Sequence, residues 1–274
     1  TAGARAGVLP QRPSPIPQEW WDQTLPGALD EAIDADPDLR YHAVIVDEGQ
    51  DFAAGWLTSL EMLLEDRKDD FFWVFHDPAQ ALFRPDVVGR LGLERLELFE
   101  DHRNPPTIAS LASRFRGDDE EIVVMRQEGL PAEIVEAALG GATVEALRKT
   151  LHKLIVDEQV APFRIAVLSG VSFSNSGAWR QRRYGNNTLW NEAFDDEGRS
   201  RGLPPEDVPE EPSDVVLFET IRRFKGLERE VIVLVELPED NERIDQLLYV
   251  GLTRATTHLV VIAPPGLAER LRGR

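Results

Sequence analysis

The sequence contains no cysteine, which excludes disulfides and thiolate metal sites and makes a reducing cytoplasm the expected setting. No apolar run approaches the ~20 residues needed to cross a bilayer, so no membrane partner is expected. No apolar stretch follows a basic N-terminal patch, so no secretory leader is expected. The five histidines are scattered without paired spacing, so a metal cage built by protein alone is not expected. Positive charge is scarce. Thirty Lys and Arg stand against 49 Asp and Glu, a formal net charge of −19, and a surface of that sign cannot coat nucleic acid generally. A narrow basic track on an acidic body remains compatible with it. No G-x-x-x-x-G-K-[ST] occurs anywhere in the chain.

Against these absences stand 274 residues, 42% of them hydrophobic, enough for one large domain or two small ones with a proper core. Thr1 to Pro17 is rich in Ala, Gly and Pro and begins without Met; it reads as a linker in a piece of a longer chain. Tyr41-His42-Ala43-Val44-Ile45-Val46 is a nearly continuous apolar run ending in Asp47-Glu48, and Phe71 to Phe75 repeats the pattern before His76-Asp77. Such runs predict strands buried on both faces of a parallel sheet. Between them, Trp56, Leu57, Leu60, Leu63 and Leu64 recur at helical spacing, giving a β-α-β unit whose strands both deliver polar groups to the ligand-binding edge.

A second alternation follows. Arg164–Leu168, Val215–Phe218, Val231–Val235 and His258–Ile262 read as strands, with helices over 142–159 and 244–255. The stretch 171–214 breaks this rhythm and reads as an insertion with loops, its acidic half expected to be mobile. Within it, Trp179 to Tyr184 interleaves Arg180, Arg182 and Arg183 with two aromatics. That pattern suits single-stranded nucleic acid and suits equally a solvated basic turn. Trp20 and Trp21 read as packing residues.

Five segments carry the chemistry. Asp47-Glu48-Gly49-Gln50-Asp51 ends a strand, where one carboxylate can hold Mg²⁺ on a nucleotide through water and its neighbour can activate a hydrolytic water. Alone, it would be an acidic turn. It is followed by His76-Asp77-Pro78-Ala79-Gln80-Ala81-Leu82-Phe83, then Asp101-His102-Arg103-Asn104-Pro105. Glu219 to Glu228 contains Thr220-Ile221-Arg222-Arg223-Phe224-Lys225-Gly226-Leu227-Glu228, and the last is Leu247-Leu248-Tyr249-Val250-Gly251-Leu252-Thr253-Arg254-Ala255.

In this order the five resemble motifs II to VI of the UvrD/Rep-like superfamily 1 DNA helicases, whose patterns are DExQD, GDxxQxxY, NYR, TxHxxKGLE and LxYVxxTRA. The resemblance covers roughly Tyr41 to Ile262. It implies a P-loop NTPase α/β fold of RecA-like parallel sheets flanked by helices: a linker and remnant over 1–40, a partial first RecA-like domain over 41–95, and a second over 96–274 with its insertion at 171–214. It implies an ATP- and Mg²⁺-dependent 3′-to-5′ helicase or translocase acting on single-stranded or partly duplex DNA. Asp47 would be the magnesium-associated acid, Glu48 the catalytic base and Gln80 the γ-phosphate sensor, with Arg103 and Arg254 as arginine fingers. His102 would face the adenine and Glu228 the ribose. Phe83 would stack on a base, with Thr220 and Arg222 on the DNA track.

The departures are specific. His102 stands where the family has Tyr, His76 where it has Gly, Arg222 where it has His, and Pro85 where it has a second stacking Trp. The family's phosphate loop, whose amides and Lys hold the β- and γ-phosphates, is missing from this sequence, so the fragment is expected to be inactive alone. Two other readings stay open: a non-catalytic helicase-derived module whose acidic surface binds a protein partner, and an RNA-directed relative, which the DExQD and TRA signatures fit less well.

Overall fold

The computed structural model describes residues 10, 11, 13, 16–118, 122–127, 129–203 and 207–273; most of the N-terminal linker reading, residues 1–9 in particular, lies outside them. The chain forms two compact units, 1–96 and 97–274. Among the described residues, no helix is long and apolar enough to cross a membrane.

The first unit follows the order α1 (Leu25–Ala35), β1 (Ala43–Val46), α2 (Ala54–Glu61) and β2 (Phe71–Val74). The two strands pair in parallel, Ala43 opposite Phe71 and Val46 opposite Val74. Val44 and Val46 pack with Ile33 of α1, Leu57 of α2, Leu39, Leu64 and Val88 in one core. The apolar runs predicted strands buried on both faces, and here the structure differs. Ile45 is 69% exposed and Phe71 61%; burial alternates along β1 because the helices cover one face of the pair. An apolar run states what burial a strand could use and does not supply the covering layer.

The second unit is an α/β layer structure, a mainly parallel sheet flanked by helices. Its elements are β3 (Glu100–Asp101), α3 (Pro106–Ser113), β4 (Val123–Val124), β5 (Glu133–Glu136), α4 (Gly141–His152), β6 (Ile165–Ser169), α5 (Gly177–Gln181), β7 (Arg183–Tyr184), β8 (Asn187–Trp190), β9 (Val216–Thr220), β10 (Arg229–Val235), α6 (Ile244–Leu252), β11 (Ala255–Ala263) and α7 (Pro265–Arg272). β3 and β4 form a separate parallel pair. The main sheet runs β5-β11-β10-β6-β9-β8-β7, parallel throughout except between β7 and β8.

All five residues of β6 are buried, as are Val231 to Val235 of β10, so these segments, read from the sequence simply as strands, have the two-faced burial that was expected of β1 and β2. Val167 and Val233 face Leu147 and Leu151 of α4. The alternate residue Leu234 faces α6, where a β-carbon on Gly251 would stand 3.1 Å from its methyls. A side chain at Gly251 would oblige the ends of Leu234 and Ile221 to give by a few tenths of an ångström.

The stretch read as a looped insertion is partly regular. It contributes α5, β7 and β8, and β8 joins the sheet beside β9 through Leu189 and Trp190. Its polar, Asn- and Gly-rich composition concealed a strand whose inward residues are few. Trp179 is fully buried and Tyr184 nearly so; Trp179 packs on Phe173 and Phe218, with ring centroids 5.0 and 5.3 Å away. These two aromatics are core residues, unavailable for base stacking, and that half of the nucleic-acid reading of 179–184 is corrected. At the end of β10, the buried Glu236 accepts hydrogen bonds from the Ser169 and Ser176 hydroxyls at 2.8 and 2.6 Å and from the Ala178 N–H at 3.0 Å. It thereby ties α5 to the sheet edge. Burial, and then the Glu236 charge, push the Tyr184 phenol above its ordinary range, and its O–H donates to the Ala178 carbonyl.

His258 in β11 is buried, and its Nδ1 has no hydrogen-bond partner. Burial holds its imidazole below the ordinary histidine value of 6.5, against an opposing pull from Glu158 and Glu133 and a small reinforcement from Lys153. The folded state therefore resists a proton that the unfolded chain accepts. The contribution is fully present above pH 6.5, the unfolded value, and is lost progressively as pH falls below it through the lower folded-state value. Urea unfolding at pH 7.5 and pH 5 should show a smaller acid-induced loss of stability in His258→Leu than in wild type. Equal losses would mean that His258 charges freely in the fold.

Candidate functional site

Because β1 and β2 run parallel, the residues that follow them share the carboxyl edge where α/β sheets bind ligands. The ladder continues past both strand ends. The Phe75 N–H donates to the Val46 carbonyl and the Gly49 N–H to the Phe75 carbonyl, each at 2.8 Å. Between these bonds the chain turns sharply, and Glu48 takes φ +54°, ψ +40°, a left-handed conformation that costs a non-glycine residue of order 1 kcal/mol or more. Gly49 is required next to it, since a β-carbon there would lie 2.3 Å from Val74 Cγ1.

Four residues are then linked in series. Gln50, 1% exposed, donates from Nε2 to Glu48 Oε2 at 2.6 Å, and its Oε1 accepts the Asp77 N–H at 3.1 Å. Asp77 Oδ1 caps the following turn by accepting the Ala79 N–H, and Oδ2 accepts from Gln80 Nε2 at 2.8 Å. Glu48 and Gln80, assigned separate roles from the sequence, are thus joined through Gln50 and Asp77. The sequence reading quoted both linkers and gave neither a role; a buried amide between two strand ends was the signal available. Asp47 is exposed, its Oδ1 accepting the Glu48 N–H. Phe83 is half exposed.

The second unit gathers the remaining motif residues. Asp101 Oδ1 accepts the N–H groups of Arg103 and Asn104, closing a tight turn after β3. The buried Asn104 side chain donates to the carbonyls of Thr253 and Ala255 at 3.1 and 2.9 Å, and Arg126 Nη1 bridges the carbonyls of Arg103 and Thr256. These bonds fasten the Arg103 turn to the start of β11. Arg103 Nε meets Glu228 Oε2 at 2.7 Å, both side chains well exposed. His102 is exposed and its Nε2 lies 2.8 Å from Glu100 Oε2.

Arg254 is placed differently. It is 1% exposed, and its Nε donates to the Val250 carbonyl, Nη2 to Thr253 Oγ1 and Nη1 to the Leu227 carbonyl, at 2.9, 2.9 and 3.3 Å. It clamps the Gly226-Leu227-Glu228 turn to the end of α6. Thr220 closes β9, its hydroxyl accepting the Arg223 N–H, and Arg222 is exposed. The three insertion arginines diverge in setting. Arg182 stacks its guanidinium 4.0 Å from the Trp179 ring centroid and pairs with Asp196 at 3.2 Å, whereas Arg180 and Arg183 are exposed, each donating to a nearby carbonyl at 3.3 Å. Among the described residues, no group of three His, Asp or Glu is arranged to hold a metal ion.

Residues 216–262, from β9 almost to the end of β11, match the UvrD-like helicase C-terminal domain family. That stretch holds Thr220, Arg222, Glu228 and Arg254. No curated protein matches the chain. Among solved structures, the C-terminal domain of a possible DNA helicase from Lactobacillus plantarum WCFS1 is similar at 19% identity and a TM-score of 0.38, over 60% of this chain and 88% of that one. The PRRSV helicase is similar at 13% identity and a TM-score of 0.42, over 80% of this chain and 34% of that one. Likenesses of this strength add nothing to the fold already described.

Asn104→Leu keeps the volume at the Arg103 turn but withdraws the donor from two buried carbonyls. The expected cost is about 1–3 kcal/mol for each carbonyl left unmet. Chemical denaturation reads this directly, and a loss below roughly 0.5 kcal/mol, the range of ordinary surface changes, would show that the Asn104 bonds do not hold the turn.

Proposed function

We propose that this chain, whose residues 216–262 match the UvrD-like helicase C-terminal domain family, is part of an ATP-dependent DNA helicase or translocase that moves 3′ to 5′. The family match over the stretch bearing Thr220, Arg222, Glu228 and Arg254 carries this reading. It is supported by the pairing of Arg103 with Glu228 in the second unit.

Arg103 presents an exposed, rigid fork of donors matched to phosphoryl oxygens, and Glu228 an exposed carboxylate suited to accept from ribose hydroxyls. With nucleotide present, each would exchange its partner for one on the ligand. In the first unit, Glu48 is oriented by Gln50 and would take the proton of the attacking water, and Gln80, held by Asp77, would report on the terminal phosphate. Asp47, an exposed carboxylate at the end of β1, would suit a magnesium ion that takes most of its remaining ligands from phosphate and water, as Mg²⁺ usually does. The bound ion would neutralise phosphate charge. On the nucleic-acid side, Phe83 would stack on a base, with Thr220, Arg222 and the exposed Arg180 and Arg183 beside the backbone; Arg182 would first have to leave Asp196.

One observation favours a second reading, a helicase-derived interaction module without catalysis. The Arg254 guanidinium is buried and bonded to main-chain carbonyls and Thr253, a structural role complete without nucleotide.

Titration of the labelled chain with Mg·ATP, followed by NMR and by phosphate release, separates the two. The translocase reading expects weak binding with shifts centred on Arg103 and Glu228, lost in Glu228→Ala, and negligible turnover because the sequence has no phosphate loop. No response at those residues favours the interaction module, and steady turnover would refute the need for the missing loop. Anisotropy with a labelled oligonucleotide should show weak binding that falls steeply with salt, since phosphate contacts dominate affinity. Tight binding indifferent to salt would place the track elsewhere.

A further inference from the structure

The insertion reaches the turn after β9 through its side chains. On one flank β9 pairs with β6 as far as Thr220, opposite Ser169. On the other flank the ladder with β8 ends at Trp190, opposite Leu217. Beyond that point Asn191, 8% exposed, takes over. Its Nδ2 donates to the Phe218 carbonyl at 2.9 Å and to Glu219 Oε2 at 3.1 Å, and its Oδ1 accepts the Ala193 N–H at 3.2 Å. Glu219 extends the grip into the turn. Its Oε1 accepts the Thr220 N–H at 2.7 Å and the Arg223 Nε–H at 3.1 Å. Arg223 also lays its guanidinium 4.9 Å from the Phe194 ring centroid. Phe194, again from the insertion, stacks on the buried Phe173 with centroids 3.8 Å apart.

The Glu219 side chain is mostly buried, and a charge so placed is costly unless it is paired and hydrogen-bonded. Its three donors meet that demand, and in doing so they fix the turn. Thr220 and Arg223, the residues on either side of Ile221-Arg222, are both anchored to one carboxylate. Ile221 and Phe224 are buried beneath the turn, while Arg222 is exposed. We propose that Asn191 and Glu219 are positioning residues for nucleic-acid binding: through them the insertion holds Thr220 and Arg222 ready for the backbone of a strand. The proposal rests on the DNA reading given above. A turn ordered in advance adds no ordering cost of its own when a ligand arrives. Asn191 carries no charge, so its contribution is geometric and separable from the attraction between arginines and phosphates.

The test compares the full chain with Asn191→Leu, Phe194→Leu, Arg222→Ala and the double variant of Asn191→Leu with Arg222→Ala. Anisotropy of a labelled single-stranded oligonucleotide reads binding, and NMR hydrogen exchange reads the Thr220 and Arg223 amides. Arg222→Ala should weaken binding roughly fivefold at about 0.1 M salt, the worth of one phosphate contact on a single strand. Asn191→Leu, with no change of charge, should weaken it by a similar factor and speed exchange of the Thr220 amide. Phe194→Leu should act in the same direction. The double variant should bind little worse than Arg222→Ala alone, because Asn191 acts through the turn that carries Arg222. Additive losses would give Asn191 a general structural role and overturn the proposal. Unchanged binding in Asn191→Leu, where Arg222→Ala weakens it, overturns the positioning role and leaves the DNA reading standing. Faster exchange with binding unchanged in both single variants refutes the DNA reading of the turn, and the proposal with it. Circular dichroism checks the fold of each variant; should Asn191→Leu unfold, Phe194→Leu and its double variant with Arg222→Ala carry the same comparison.

Discussion

A guanidinium stays charged inside a protein, so burying one is costly unless its N–H groups find acceptors, and Arg254 is almost completely buried. Its acceptors are main-chain carbonyls from the end of α6 and from the turn after β9, together with the Thr253 hydroxyl. Satisfying that single charge fixes where α6 stops, how β11 begins and where the Gly226-Leu227-Glu228 turn sits. Asn104 adds to the arrangement by bonding the carbonyls on both sides of Arg254, those of Thr253 and Ala255. The exposed pair of Arg103 and Glu228 follows from these buried bonds, one partner being carried by the Asn104 turn and the other by the Arg254 clamp.

The same logic works in the first unit with a neutral group at its centre. Gln50 is buried between two strand ends and can satisfy its amide only by reaching Glu48 on one side and the Asp77 N–H on the other. The left-handed Glu48 and the space reserved by Gly49 are the local cost of that arrangement. Strain kept beside a buried hydrogen-bonded amide is a usual mark of a site under functional demand, and here it falls on the residue proposed as catalytic base.

The chain's acidity acquires a local meaning. With −19 formal charges, its arginines are drawn into pairs. Arg182 is held by Asp196, Arg229 by Glu211, and Arg199 by Asp195 and Glu197. Other cations, such as Arg222, are left exposed.

Much of this was legible in the residues. The motif order from Asp47 to Arg254 was carried by the resemblance, whereas the central strands of the main sheet and the helices between them could be read from apolar runs and helical spacing, because those patterns record demands for burial that a parallel sheet meets directly. Whether each demand was met could not be read. Ile45 and Phe71 look like core residues and are exposed, while Trp179 and Tyr184 look like a nucleic-acid surface and are buried. Trp21 reads as packing and lines a cleft. The sequence by itself determined which residues carry charge, which could be helical or extended, and which motif each belongs to. Only the tertiary structure decided which carboxylate meets which arginine, which face of β1 is covered, and that Gln50 and Asp77 join Glu48 to Gln80. Those outcomes depend on contacts between segments distant in the chain, and a local pattern carries no information about which partner will occupy the other side.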